Sequence, residues 1–81
     1  MTDAMQGREV EIVVDARGHR CPVPTLKLRR ALEAAPAGVR LRLLADDPLA
    51  KIDVPHFLSQ TKATLVGLTE LEGELTFSIA K

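Results

Sequence analysis

The sequence predicts an α/β fold: a two-layer sandwich of order β-α-β-α-β-β, with a mixed four-stranded sheet and two helices on one face. Three observations lead to it. Alternation of period two at Val10–Val14 and again at Val39–Leu43 brackets a stretch of helical periodicity between Pro24 and Ala35. A second helical stripe, Val54, Phe57, Leu58 and Thr61, follows at spacings i, i+3, i+4 and i+7. Two strand-like runs close the chain, joined by Glu72-Gly73, a hairpin turn signal. A strand-helix-strand unit within one sheet implies a parallel pair, and the hairpin adds an antiparallel one.

Each element has its own signature. In the first strand Val10, Ile12 and Val14 share a face. The segment Asp15-Ala16-Arg17-Gly18-His19-Arg20 is a polar loop punctuated by Gly18. The first helix begins between Pro22 and Pro24, where missing N–H groups cost nothing, although a residue before proline disfavours helix at Cys21 and Val23. Leu28, Ala31, Leu32 and Ala35 form its apolar face, and Pro36 and Gly38 end it. Arg40 and Arg42 alternate with Leu41 and Leu43, so the arginines face solvent on the open side of the sheet. Asp46-Asp47-Pro48 reads as a turn with Asp47 a cap. Asp53 is the expected N-cap of the second helix, which keeps Pro55 in the first turn. Thr64–Leu71 and Leu75–Ile79 are the last strands, with a bulge at Gly67.

Composition bounds the function. A chain of 81 residues makes one domain, residues 1–81, with residues 1–8 a frayed end. With 46% hydrophobic and 27% charged residues it is too apolar for disorder. Eleven Lys and Arg balance eleven Asp and Glu, so the basic excess of a general nucleic-acid binder is missing. Phe57 and Phe77 are the sole aromatics, too few for a base-stacking platform. No apolar run approaches the roughly 20 residues of a membrane helix, and no apolar signal stretch opens the chain. One cysteine, Cys21, precludes an intramolecular disulfide and fits a reducing, cytoplasmic setting. One cysteine and two histidines, His19 and His56, make a poor ligand set, so no metal or other cofactor is expected. A small charged domain of this kind is expected to be a monomer.

Cys21 is the candidate reactive group. The thiolate is the nucleophile, and an unperturbed thiol with pKa of about 8.5 is only a few per cent ionised at neutral pH. Placement at or just before a helix N-terminus contributes roughly 0.3–1 kcal/mol, under about one pKa unit. Cations must supply the rest. Between Asp15 and Arg30 stand five Lys or Arg and a single acid, the clearest charge pattern in the chain. Arg17, His19, Arg20 and Lys27 are the candidates closest in sequence to the thiol. The competing fate of a lone cysteine is a small buried apolar residue. Flanking prolines and cations argue against burial. His19 lies too close in sequence to read as the base of a cysteine-protease pair, and His56 belongs to another element. Asp46-Asp47 could hold magnesium, but turn formation is the commoner use. Glu70, Glu72 and Glu74 make a solvated face. Leu26 points away from the apolar helix face, one turn past Cys21, where it could serve as a docking contact.

The stretch Asp15-Ala16-Arg17-Gly18-His19-Arg20-Cys21-Pro22-Val23-Pro24 resembles the Cys-Pro-x-Pro signature of the TusA/SirA-type sulfur-carrier family. Arg29, Gly38, Asp46-Asp47-Pro48 and Asp53-Val54-Pro55-x-Phe57 fall where that family has similar residues, so the resemblance spans roughly Val10 to Lys81. It implies the same β-α-β-α-β-β sandwich. It also implies a sulfur carrier or sulfurtransferase in which Cys21 accepts sulfane sulfur as a persulfide. Arg17, His19, Arg20, Pro22, Pro24, Leu26 and Lys27 would stabilise that sulfur or dock partners. The implied donor is a cysteine desulfurase or rhodanese-like protein. The implied acceptor is a sulfur-relay protein serving tRNA thiolation, molybdenum cofactor synthesis or sulfur metabolism. Many family members carry a second cysteine directly after the phenylalanine of the second helix; here that residue is Leu58, so a resolving thiol is absent. The alternative function is a non-catalytic regulatory or protein-interaction domain that docks through the Cys21 region. An RNA-binding module is disfavoured by zero net charge and two aromatics.

Overall fold

The computed structural model describes residues 11–20 and 22–81. Val10, the 1–8 segment and Cys21 lie outside the described residues. The element order is β1 (Glu11–Asp15), α1 (Val23–Ala34), β2 (Arg40–Ala45), α2 (Ala50–Ser59), β3 (Thr64–Leu71) and β4 (Glu74–Ala80). This is the α/β order expected from the sequence. The strands form one sheet in the order β1-β2-β4-β3, with β1 and β2 parallel and the other two pairings antiparallel.

Period-two alternation sets the two faces of the sheet. Register places Leu41 beside Ile79, Leu43 beside Phe77 and Ala45 beside Leu75, all buried, with Ile12 and Val14 of β1 beside Leu41 and Leu43. The helices cover this face. From α1 come Pro24, Leu28 and Leu32, with Ala35 just beyond its end, and from α2 Ala50, Val54 and Leu58. Arg40, Arg42 and Val13 lie on the opposite, open face, where Arg42 pairs with Glu11 at 3.2 Å. The hairpin turn takes Glu72 and Gly73 to φ 51° and 85°, the paired left-handed conformation of a two-residue type I′ turn. Near Gly67 the ladder slips: Leu65 faces Ile79 and Gly67 faces Ser78, leaving Val66 as the extra residue of a bulge.

Val23 is the first residue of α1, within the expected Pro22–Pro24 span even though it precedes a proline. Its N–H is held by the Arg20 carbonyl at 2.9 Å, and burial of Pro24 fixes the turn that follows. Asp53 is not the N-cap of α2, which starts three residues earlier at Ala50. The Asp47 carboxylate accepts the Leu49 N–H at 3.0 Å and the Asp47 carbonyl accepts that of Ala50 at 2.9 Å. Burial of Ala50 draws this extra turn onto the core. Pro55 therefore sits inside the helix and cannot bond the Lys51 carbonyl, but Lys51 is exposed, so water can reach it. The helix ends at Ser59, so Thr61 lies beyond it and caps it, donating through Oγ1 to the Leu58 carbonyl at 2.9 Å.

The end of α1 is closed by a residue far along the chain. Lys81 Nζ donates to the carbonyls of Leu32 and Ala35, the latter at 2.5 Å, placing a cation at the negative helix end. Lys81→Met keeps the stem and removes the charge. It is expected to cost about 1 kcal/mol, read as a lower urea midpoint at unchanged slope.

Candidate functional site: the loop before the first helix

The candidate site is built on the segment joining β1 to α1. Ala16 is fully buried and its N–H donates to the Leu44 carbonyl at 2.8 Å, extending the β1–β2 pairing past the strand. A tight turn follows, in which the His19 N–H reaches the Ala16 carbonyl at 3.3 Å. Gly18, at φ 83°, supplies the left-handed conformation this turn uses. Both carboxylate oxygens of Asp46 accept the Gly18 N–H at 3.0 Å. Beyond the loop, the first turn of α1 closes through the Leu26 N–H to the Pro22 carbonyl at 3.0 Å. Cys21 is therefore bracketed in the chain by an anchored loop and a formed helix.

The surrounding cations divide into two groups. Arg17 is turned to acids. Its Nε and Nη2 each lie 2.9 Å from Asp15, a bidentate pair, and its Nη1 lies 3.3 Å from Glu74. Hydrogen bonds from the Arg17 side chain and N–H hold the Asp15 carboxyl well below the usual carboxylate range, and Asp15 in turn pushes Arg17 up. Lys27 Nζ donates to the Asp15 carbonyl at 3.2 Å, and Arg29 pairs with Glu33 at 3.3 Å. Arg20 and Arg30 have no ion pair among the described residues.

A carboxyl depressed in the folded state adds stability above its unfolded pKa of about 3.9, and loses it as pH falls through the folded value. The Asp15–Arg17 pair is thus intact at neutral pH. The Arg17 amide, whose N–H donates to the Asp15 carboxylate at 3.1 Å, is expected to hold steady on acidification to about pH 4 and to move only below it in an NMR titration.

Two open grooves flank the loop. One lies between His19 and Arg20 and the β2–α2 turn of Asp46, Asp47, Pro48 and Leu49. The other, of about 580 Å³, runs between β1 and α1 and is lined by Val14, Val23, Leu26 and Ala31, with Lys27 and Arg30 among its charged residues. The candidate residues thus separate. His19 and Arg20 line the first groove, and Leu26 and Lys27 the second. Pro22 is exposed at the helix cap, Pro24 is buried in the core, and Arg17 is held by Asp15 and Glu74.

Sequence reasoning missed Leu49, 55% exposed in the groove of His19 and Arg20, because it lies before the expected start of α2. It also missed the partner of Asp46. Asp47 does cap a turn, but Asp46 reaches a loop 28 residues earlier. Among the described residues no three of His, Cys, Asp or Glu group as a metal site, and no helix is long and apolar enough to cross a membrane. Glu74 and Glu70, expected on a solvated face, pair with Arg17 and with Lys51, the latter at 2.7 Å.

Residues 12–81 match the protein family described as Sulfurtransferase TusA. The chain belongs to the TusA family. Among its relatives, a putative sulfur carrier protein of Archaeoglobus fulgidus is 37% identical over 67 residues, covering 82% of this chain and 87% of that one. The sulfur carrier protein TusA of Pseudomonas savastanoi pv. phaseolicola is 31% identical over all 81 residues and 96% of its own length. The protein of the same name from Pseudomonas syringae pv. syringae matches to the same extent. Membership of the TusA family supports a sulfur-carrier role, and with it dealings with sulfur donor and acceptor proteins.

Proposed function

We propose that this protein carries sulfur as a persulfide on Cys21 and relays it between partner proteins in a reducing, cytoplasmic compartment. The observation behind this reading is the position of the single cysteine in the chain. It falls between a loop anchored by Asp46 and the first turn of α1, next in sequence to Arg20, which has no ion pair among the described residues. Loading is thiolate attack on sulfur. The Cys21 thiolate attacks the terminal sulfur of a donor persulfide. A new S–S bond forms, the donor's S–S bond breaks, and the donor cysteine leaves as thiolate. Unloading is the same exchange in reverse sense: an acceptor thiolate takes the terminal sulfur and Cys21 leaves as thiolate. Neither step needs an external oxidant or reductant.

The cations named for this role contribute unequally. Arg20, with no ion pair among the described residues, favours the anionic sulfur and an acidic partner surface, while Arg17 and Lys27 chiefly brace the loop. Leu26, beside the second groove, supplies apolar contact area for a partner. Cysteine desulfurases and rhodanese-like proteins are the proposed donors. The proposed acceptors are relay proteins of tRNA thiolation, molybdenum cofactor synthesis or sulfur metabolism.

The test is intact-protein mass after incubation with a cysteine desulfurase and cysteine, then with a rhodanese and thiosulfate. Gain of one sulfur atom, reversed by dithiothreitol, is the expected result. Absence of gain with both donors would replace this reading with a docking domain that uses the same surface without accepting sulfur.

A further inference from the structure

We propose that Asp46 is a positioning residue for Cys21, acting through its paired hydrogen bond to the Gly18 N–H. This rests on Cys21 being the working thiol. Gly18 lies three residues before Cys21 and is in the left-handed region. The other bond that closes this turn, His19 N–H to the Ala16 carbonyl, is long at 3.3 Å. Both oxygens of Asp46, at 3.0 Å, are therefore the stronger restraint on the turn.

Asp46 is itself held by a rigid element. It directly follows Ala45, which is fully buried at the end of β2, and the neighbouring Leu44 carbonyl accepts the Ala16 N–H. The end of the central strand β2 thus fixes the loop at two successive points, Ala16 and Gly18. Asp46 is exposed, so the global fold does not depend on it. Its carboxylate is an anion in the groove that also holds His19 and Arg20, so on charge alone it opposes a thiolate. Its place there is explained by the hydrogen bond it makes.

Two neutral variants separate geometry from charge. Asp46→Asn keeps an acceptor for the Gly18 N–H, and Asp46→Ala has none. Asp46→Ala is expected to take sulfur from the donor about tenfold more slowly than wild type, with Asp46→Asn restoring most of the rate and thermal midpoints of all three close together. Alkylation of Cys21 by iodoacetamide at pH 7 is expected to be about threefold slower in Asp46→Ala than in Asp46→Asn, the effect of roughly half a pKa unit on the thiolate fraction. Equal rates for the two variants in both assays would overturn the proposal, since charge would then be the whole effect. Alkylation needs no sulfur donor. A wild-type protein that takes no sulfur would sink the carrier reading, while the alkylation comparison would still decide the role of Asp46.

Discussion

Cys21→Ser is expected to fold as the wild type does and to gain no sulfur from either donor. Serine keeps the shape of the side chain but offers a hydroxyl that stays protonated at neutral pH, so the attacking anion is lost. The wild-type thiol starts from a pKa of about 8.5, and a helix N-terminus lowers it by less than about one unit. Further ionisation needs a cation. The structure narrows the choice, because Arg17 is paired to Asp15 and Glu74 and Lys27 is bonded to the Asp15 carbonyl. Arg20, adjacent in sequence, has no ion pair among the described residues. Mass spectrometry after donor treatment, beside circular dichroism and a melting curve, checks both halves of the expectation. Sulfur gained by the serine variant at another residue would remove Cys21 from the mechanism. A large fall in its midpoint would return Cys21 to a packing role.

Phe77→Ala is expected to bring the domain close to unfolding at physiological temperature. Phe77 is fully buried on β4, paired with Leu43 of β2 on one side and Leu68 of β3 on the other. Truncating a buried phenylalanine costs about 3–5 kcal/mol in lost transfer energy and residual cavity. A chain of this length has roughly 4–12 kcal/mol of stability in total. At about 4–8 °C per kcal/mol, the midpoint should fall by tens of degrees. Urea titration and a thermal scan measure it. A loss below about 1 kcal/mol would mean that the core between the sheet and the two helices repacks around the gap, and that the packing described here does not limit stability.

Much of this architecture was legible in the sequence, because periodicity is a local property. Alternation in Leu41–Leu43 and Leu75–Ile79 marks which side chains face the helices whatever lies above them. The stripe of Leu28, Leu32 and Ala35 does the same for α1, and Glu72-Gly73 writes its own turn. The motif around Cys21 was equally visible, since it is contiguous. The start of α2 was less so: Asp53 has the chemistry of a cap, but burial of Ala50 starts the helix three residues earlier, after a turn held by Asp47.

What the tertiary structure alone decided is how the residues around that motif are used. Arg17 reads as a cation beside a thiol, but its Glu74 partner lies 57 residues away. Asp46 reads as a turn residue, but it holds a glycine 28 residues earlier. Lys81 caps the end of a helix 46 residues upstream. None of these pairs leaves a local signature, because each is created by the strand order β1-β2-β4-β3. That order sets the ends of β1 and β2 side by side, and brings the distant strand β4 back along β2. The sequence by itself determined the order of the elements, the buried faces and the candidate reactive residue. The sheet decided which of the charges among the described residues are paired, because a charge is claimed by whichever opposite group folding places within hydrogen-bonding reach.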